Sequence, residues 1–149
     1  MTQRSDHLSP MTIGLDIGDR NTHYCVLDAA RTVVARGTLA TTPTALSKTL
    51  AAFSGGRVVL EAGSQSPWMS RRLRSEGFDV HVADPRRVQL ISKDPRKTDR
   101  RDVETLARLE MGMPELLGTI HHRGEQAQAD LSIVRARDLL VRIRTMAVQ

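Results

Sequence analysis

Apolar and polar residues alternate along Met11–Gly18, MTIGLDIG, near the start of the chain. The apolar side chains at 13, 15 and 17 share one face of an extended segment, and Asp16 lies on the other face between two glycines. This pattern predicts a half-buried strand with one carboxylate in its middle. We expect the small neighbours of Asp16 to leave room for a metal ion or a phosphate to approach the backbone.

The following segments predict two more strands and then an alternation of strands and helices. Short turns separate the expected strands at about 22–28 and 32–39, so that the first three strands form an antiparallel meander. Further strands are expected at 57–62 and 78–83. Helices are expected from Pro43 to the glycines at 55 and 56, and at about 66–76, 85–91 and 99–110. The order predicts an α/β domain, with a mixed sheet and helices on both faces.

The last 25 residues have a helical pattern of a different kind. Their apolar positions are spaced 4-3-4-3-4, which is a heptad pattern typical of coiled coils. These positions are Ala129, Ile133, Ala136, Leu140, Ile143 and Ala147. The segment is short for a coiled coil on its own and reaches the last residue without a capping signal, so we expect a helical connector that is truncated here.

Charge and cysteine content narrow the class of protein. The formal charge is +5 and the pI about 10.3, with nearly all of the basic residues arginine, which favours a nucleic-acid partner. Cys25 is alone, so an internal disulfide is excluded. Residues 1–10 lack the apolar core of a signal peptide and are expected to be a disordered leader. No long apolar run is present, and we expect a cytoplasmic protein associated with the nucleoid.

Four acidic residues form the candidate catalytic and metal-binding site: Asp16, Glu61, Asp99 and Asp102. Glu61 ends a predicted strand, and the other two are three residues apart, on one face of a predicted helix. Carboxylate oxygens are ligands that suit Mg²⁺ or Mn²⁺, and two such ions are a common device of phosphodiester chemistry. Two alternatives stay open: Asp99 as a simple helix cap, and Glu61 as the partner of an arginine.

Basic residues concentrate around the predicted helix that begins at Asp99 and on the helix after Glu61. Arginine and lysine beside a carboxylate site suit the phosphates that flank a cleaved bond, so we predict nucleic-acid binding there. For any single arginine the alternative is a solvated charged face. The predicted nucleic-acid-binding residues are Lys93, Arg96, Lys97, Arg100, Arg101, Arg71, Arg72, Arg86 and Arg87.

A few other polar residues have weaker signals. Ser66 follows Glu61 closely and is a candidate substrate contact, although a turn and helix cap is the simpler interpretation. His121 and His122 are adjacent, which is poor spacing for chelation, so a surface loop is expected. Trp68 is expected to be a packing residue. Arg135 and its neighbours on the last helix are either nucleic-acid contacts or ordinary flanks of a coiled coil.

The motifs GLDIG, LEAG and KTDRRDVE, in this order, resemble the catalytic domain of DEDD-type insertion-sequence transposases. That family includes the Piv invertases and recombinases guided by a bridge RNA. The resemblance implies an RNase H-like fold similar to RuvC over 11–117, a helical connector that begins a coiled coil over 118–149, and an acidic tetrad on Asp16, Glu61, Asp99 and Asp102. It implies metal-dependent DNA strand cleavage and transfer, with Mg²⁺ or Mn²⁺ as cofactor and DNA as partner. A guide RNA is a further candidate partner, and the connector helix implies a homo-oligomer.

The resemblance also implies a second domain with a nucleophilic serine, so we expect the chain to be inactive in complete recombination by itself. Two other classes of function remain as alternatives. The strand with Asp16-Ile17-Gly18 is also similar to the first strand of actin-like and sugar-kinase-like phosphotransferases, although those need a second phosphate loop in a second domain. The basic residues and the heptad helix would also suit a non-catalytic module for nucleic-acid binding and dimerisation.

Overall fold

The chain folds around one five-stranded mixed sheet, as a computed structural model of residues 11–91 and 99–148 describes it; the side chains of 99–102 lie outside the description. The order of strands across the sheet is β3-β2-β1-β4-β5. The strands are β1 Thr12–Ile17, β2 Asn21–Leu27, β3 Val33–Ala40, β4 Arg57–Glu61 and β5 Asp79–Ala83. The predicted α/β class and the predicted order of elements are confirmed.

The first three strands are the predicted antiparallel meander. The β2–β3 turn is tight: the Arg31 amide donates to the Asp28 carbonyl at 2.9 Å, and the Thr32 amide donates to the Asp28 carboxylate at 2.8 Å. Arg31 has φ of 63°, a left-handed conformation that closes the turn. The second half of the sheet is parallel, with β4 beside β1 and β5 beside β4.

In residues 11–91 and 99–148, six α-helices cover the sheet and extend from it. They are α1 Pro43–Leu50, α2 Ser66–Ser75, α3 Pro85–Ile91, α4 Asp99–Gly112, α5 Pro114–Leu117 and α6 Glu125–Val148. A short 3-10 helix, Ala51–Phe53, prolongs α1. Thr42 caps α1 as its sequence predicts, because its hydroxyl accepts from the Ala45 amide. No helix in the described ranges is both long and apolar enough to cross a membrane.

Alternate side chains of the strands pack against helices on opposite faces, as predicted. On one face, Ile13 and Leu15 of β1 join a buried cluster with Leu46 of α1 and Leu73 of α2. On the other face, α4 presents the predicted stripe of Val103, Leu106, Ala107 and Glu110, all of which are buried. Both faces of the central strands are therefore covered, which is typical of α/β folds.

Helix α4 runs antiparallel to β1. Val103, near its start, lies over Gly14, whereas Glu110, near its end, lies beside Arg57 and His81. Arg57 is the first residue of β4 and pairs with Thr12 at the start of β1. The first turn of α4 is therefore directed to the end of the sheet at which β1 and β4 finish.

The segment after α4 is more ordered than the loose connection expected over 111–124. Helix α4 continues to Gly112, and Pro114 begins the short helix α5, whose Leu117 is fully buried. The Ile120 amide then donates to the Val82 carbonyl at 2.8 Å, so the segment lies along the free edge of β5. The domain boundary at residue 117 stays a prediction.

Helix α6 exposes the predicted heptad positions. Ile133 and Leu140 are 70% and 66% exposed, and no residue of α6 is buried in the part of the chain described.

Candidate active site

The carboxylates of Asp16 and Glu61 belong to neighbouring parallel strands. Leu15 of β1 is in register with Leu60 of β4, so the next residues, Asp16 and Glu61, lie side by side at the carboxyl ends of the two strands. Their side chains share one face with Gly14 and Val59, two residues earlier, which pack against the side of the sheet covered by α4. Both acids are half-buried.

The first turn of α4 reaches the same end of the sheet. Four residues of helix, from Val103 back to Asp99, advance about 6 Å, and two residues of strand, from Gly14 to Asp16, advance about 7 Å. Gly14 and Val103 are in contact and the two elements are antiparallel. The backbone positions of Asp99 and Asp102 are therefore near that of Asp16. The side chains of Asp99 and Asp102 fall outside the described part of the structure. The structure thus brings together the backbone positions of all four predicted acids.

The donor set fits a divalent cation of the Mg²⁺ or Mn²⁺ kind. The predicted tetrad would supply four carboxylates, whose hard oxygen atoms suit such a cation and which would repel one another without it. The N-terminal end of α4 also carries partial positive charge, which favours anions there. Among side chains that the structure describes, no group of three or more His, Cys, Asp or Glu is placed to hold a metal ion.

The two glycines that flank Asp16 have a role different from the expected one. A Cβ atom on Gly14 would lie 2.3 Å from the Val103 carbonyl oxygen, and one on Gly18 would lie 2.6 Å from the Asn21 carbonyl oxygen. The space beside Asp16 is thus filled by the protein itself, and the expectation that it admits a metal ion or a phosphate is wrong at these two positions. Gly14 instead allows α4 to approach β1 closely.

His23 is a neighbour of the candidate site that the sequence did not identify. It lies directly opposite Asp16 in the β1–β2 pair, on the same face of the sheet. Its Nδ1 is 2.9 Å from the hydroxyl of Thr38, the residue opposite it on β3. Pairing the residues of β1 and β2 outward from their turn could have located His23, since the turn between the two strands fixes their register.

The predicted nucleic-acid-binding residues have varied surroundings. Arg71 donates to the side-chain oxygen of Gln128 at 2.8 Å, and Arg72 pairs with Glu76. Arg86 is exposed, and Arg87 donates to the Glu115 carbonyl at 3.3 Å. Three more of the predicted residues, Lys93, Arg96 and Lys97, lie outside the described residues. The side chains of Arg100 and Arg101 lie outside them as well.

Ser66 and His122 connect the start of α2 with the segment before α6. The Ser66 hydroxyl accepts from the Gly63 amide at 2.9 Å and donates to the Gly63 carbonyl at 2.8 Å, which is the turn and cap role expected. His122 Nε2 lies 2.9 Å from the same hydroxyl. Burial, together with the positive charges of Arg74 and Arg71, lowers the pKa of His122 below its usual value. The neutral imidazole therefore holds this segment against α2.

Comparisons with known proteins bear on both the fold and the family. A family model for DEDD transposases of the IS110 type, described as transposase, matches residues 13–149. No curated protein sequence matches the chain.

Two solved structures of Thermus thermophilus RuvC are similar to this chain. The complex with a Holliday junction substrate is 13% identical with a TM-score of 0.50, covering 70% of this chain and 97% of that one. The second RuvC structure is 14% identical with a TM-score of 0.48, covering 69% of this chain and 97% of that one. The first of these likenesses shows a RuvC-like, RNase H-like fold.

Proposed function

Because this chain belongs to the DEDD transposases of the IS110 type, we propose that it is the metal-dependent DNA cleavage domain of a transposase, with Asp16, Glu61, Asp99 and Asp102 as its acidic tetrad. The observation that carries the proposal is the convergence of β1, β4 and the first turn of α4 at one end of the sheet. The actin-like and sugar-kinase-like alternative has no support from the family match.

In the proposed mechanism the four carboxylates would hold Mg²⁺ or Mn²⁺, with two ions expected. Such ions would supply positive charge that stabilises phosphodiester cleavage. Asp16 and Glu61 provide ligands from rigid strands, and Asp99 and Asp102 provide them from the helix packed above. The N-terminal end of α4 adds partial positive charge where the phosphate would lie. The exposed arginines near this end, Arg86 among them, bind the flanking phosphates.

The proposed partners are DNA and a second copy of this chain. The second copy pairs through the exposed heptad positions of α6, for which Ile133 and Leu140 have no covering residues within the described ranges. A guide RNA is a further candidate partner of the basic surfaces. We infer that the protein acts in the cytoplasm of a cell whose DNA is accessible there, in association with the nucleoid.

The test is nicking of a branched DNA substrate by the purified chain, with Mg²⁺ or Mn²⁺ added. In this test water takes the place of the nucleophilic serine that the family resemblance implies: it attacks the phosphorus and one ester oxygen of the strand leaves, so a nick is the readout. We expect Asp16→Asn to lower nicking at least 100-fold, since one ligand of the ions is lost. Asp138→Asn, the same change on the exposed surface of α6, should leave nicking unchanged.

Metal binding provides a second, independent measurement. A cation that binds only the folded state raises the free energy of unfolding by about 2.7 kcal/mol at a hundredfold excess over Kd. We expect Mn²⁺ to raise the unfolding temperature of the wild type and of Asp138→Asn, but not of Asp16→Asn. If Asp16→Asn keeps both the nicking and the Mn²⁺ effect, the tetrad is assigned to the wrong residues.

A further inference from the structure

A groove opens beside the candidate active site, between α2, residues 121–123 and one face of α6. It has a volume of about 740 Å³ and begins at Ala62, the residue that follows Glu61. We call it the α2–α6 groove. Its lining includes Trp68 and Arg71 of α2, Arg123, and Gln128 and Arg135 of α6. Its position places any occupant at the end of the sheet that carries the carboxylates.

The lining of the groove is basic. Arg71, Arg123 and Arg135 come from three separate segments and converge on it, and among the residues that the structure describes no aspartate or glutamate lines it. Arg71 is oriented by its hydrogen bond to Gln128. Arg123 and Arg135 are exposed, and neither forms an ion pair or hydrogen bond within the described ranges. Uncompensated guanidinium groups in a concave site favour an anionic ligand, and their planar forks match phosphate oxygens.

The groove also has an apolar wall, formed by Trp68, Pro67 and Leu131. The indole ring of Trp68 is fixed because its Nε1 donates to the Gln65 side chain at 2.6 Å. Aromatic rings beside arginines form the usual surface for an unpaired nucleic-acid strand, in which bases stack while the phosphates meet the cations.

We propose that the α2–α6 groove binds a single, unpaired nucleic-acid strand through its phosphodiester backbone, next to the cleavage site. This inference deepens the proposed function and rests on it for the location of that cleavage site. The volume is within the range of small-ligand cavities, about 300–1,000 Å³, which admits a few nucleotides of one strand. A duplex presents its phosphates on a convex surface and does not enter such a groove.

Trp68 offers a direct test because it is the single tryptophan of the chain. Its fluorescence is followed in the full chain while a single-stranded oligonucleotide is added, in parallel titrations with DNA and with RNA of the same sequence. No metal ion is added, so cleavage does not interfere. We expect quenching of Trp68 with one or both strands, and at least tenfold weaker binding of the matching duplex.

Two groove variants and one matched control identify the contacts. Arg123→Gln and Arg135→Gln should each weaken binding about tenfold and reduce the slope of log K against log salt by about 0.7. Lys48→Gln is the control: it removes one positive charge from the exposed surface of α1, outside both the groove and the proposed contact between copies, and should change neither quantity. Unfolding temperatures of all three variants should match the wild type.

The result that would overturn the proposal is an equal effect of all three substitutions with both DNA and RNA, or the absence of quenching. Equal binding of the duplex would overturn the single-strand assignment. The proposed cleavage can fail separately: Asp16→Asn lies outside the groove, so it should retain Trp68 quenching even when nicking is lost. A chain that binds strands in the groove but never nicks DNA would retain this inference and contradict the proposed function.

Discussion

Gly14 of β1 lies directly beneath the backbone carbonyl of Val103 in α4. A Cβ atom at Gly14 would be 2.3 Å from that oxygen and 3.1 Å from the Ala107 Cβ. This contact sets the distance between the strand that carries Asp16 and the helix that carries Asp99 and Asp102. The geometry of the candidate site therefore depends on a residue that has no side chain.

Gly14→Ala should push α4 away from β1. We expect it to lower the free energy of unfolding by about 1–3 kcal/mol, as overpacking of a buried contact does, and to abolish stabilisation by Mn²⁺. Gly63→Ala is the matched control, because a Cβ atom there meets nothing within 4 Å. Denaturant unfolding with and without Mn²⁺ measures both effects. Equal stabilities of the two variants would contradict the contact.

The far end of α4 is held by a buried carboxylate. Glu110 is only 3% exposed, and its carboxylate lies 2.5 Å from His81 Nδ1 and 3.8 Å from the Arg57 guanidinium. Glu110→Ala removes the buried carboxylate from both groups, and we expect the free energy of unfolding to fall by about 3 kcal/mol. The exposed Glu115→Ala should have little effect. Urea unfolding of both variants measures the change in the free energy of unfolding. A similarly small loss for each variant would show that the contacts of Glu110 contribute little to stability.

The His122 contact predicts a dependence of stability on pH. The pKa of His122 is lowered in the folded protein, whereas in the unfolded chain it titrates near its ordinary value of 6.5. The unfolded state therefore binds this proton more readily, and protonation favours unfolding. The contribution of His122 is complete above about pH 6.5 and declines as the pH falls below that value.

The measurement is the unfolding temperature of the wild type and of His122→Gln between pH 5 and pH 8, a range chosen about the ordinary histidine pKa. We expect the wild type to lose more stability on the acid side than His122→Gln does. His121→Gln, a change at the exposed adjacent residue, should follow the wild type. Parallel curves for all three proteins would show that His122 does not carry the effect.

The exposed heptad positions of α6 predict self-association. A double substitution, Ile133→Glu with Leu140→Glu, places charges in the proposed contact and should convert a dimer to a monomer. Thr145→Glu lies on the side of the helix away from these positions and is the control. Light scattering after gel filtration gives the mass of each protein. A monomeric wild type would exclude dimerisation through α6 at the concentration used.

The sequence was sufficient for the five strands and for the described helices other than α5, because their signals were local and mutually consistent. Period-2 alternation defined β1, and the Thr42-Pro43 cap defined the start of α1. Parallel pairing at the ends of two strands then made Asp16 and Glu61 neighbours, as the predicted tetrad requires.

Features that depend on distant contacts were beyond local patterns. The role of Gly14 depends on a carbonyl almost ninety residues away, so its small size was attributed to a ligand rather than to helix packing. The α2–α6 groove joins segments from three parts of the chain, and no one of them carries its signal. The segment 117–122 has a defined conformation because it forms hydrogen bonds along the free edge of β5. The sequence of that segment does not reveal this contact.

Helix α4 is continuous over about 21 Å and packs along β1 on one face of the sheet. One end carries Asp99 and Asp102, and the other is linked through Glu110 and His81 to the Gly118 carbonyl, in the segment that leads to α6. Through these contacts a displacement of the start of α6 would be transmitted to the helix that carries two of the proposed ligands. We therefore expect the proposed pairing of two chains through α6 to change the relative positions of the proposed carboxylate ligands.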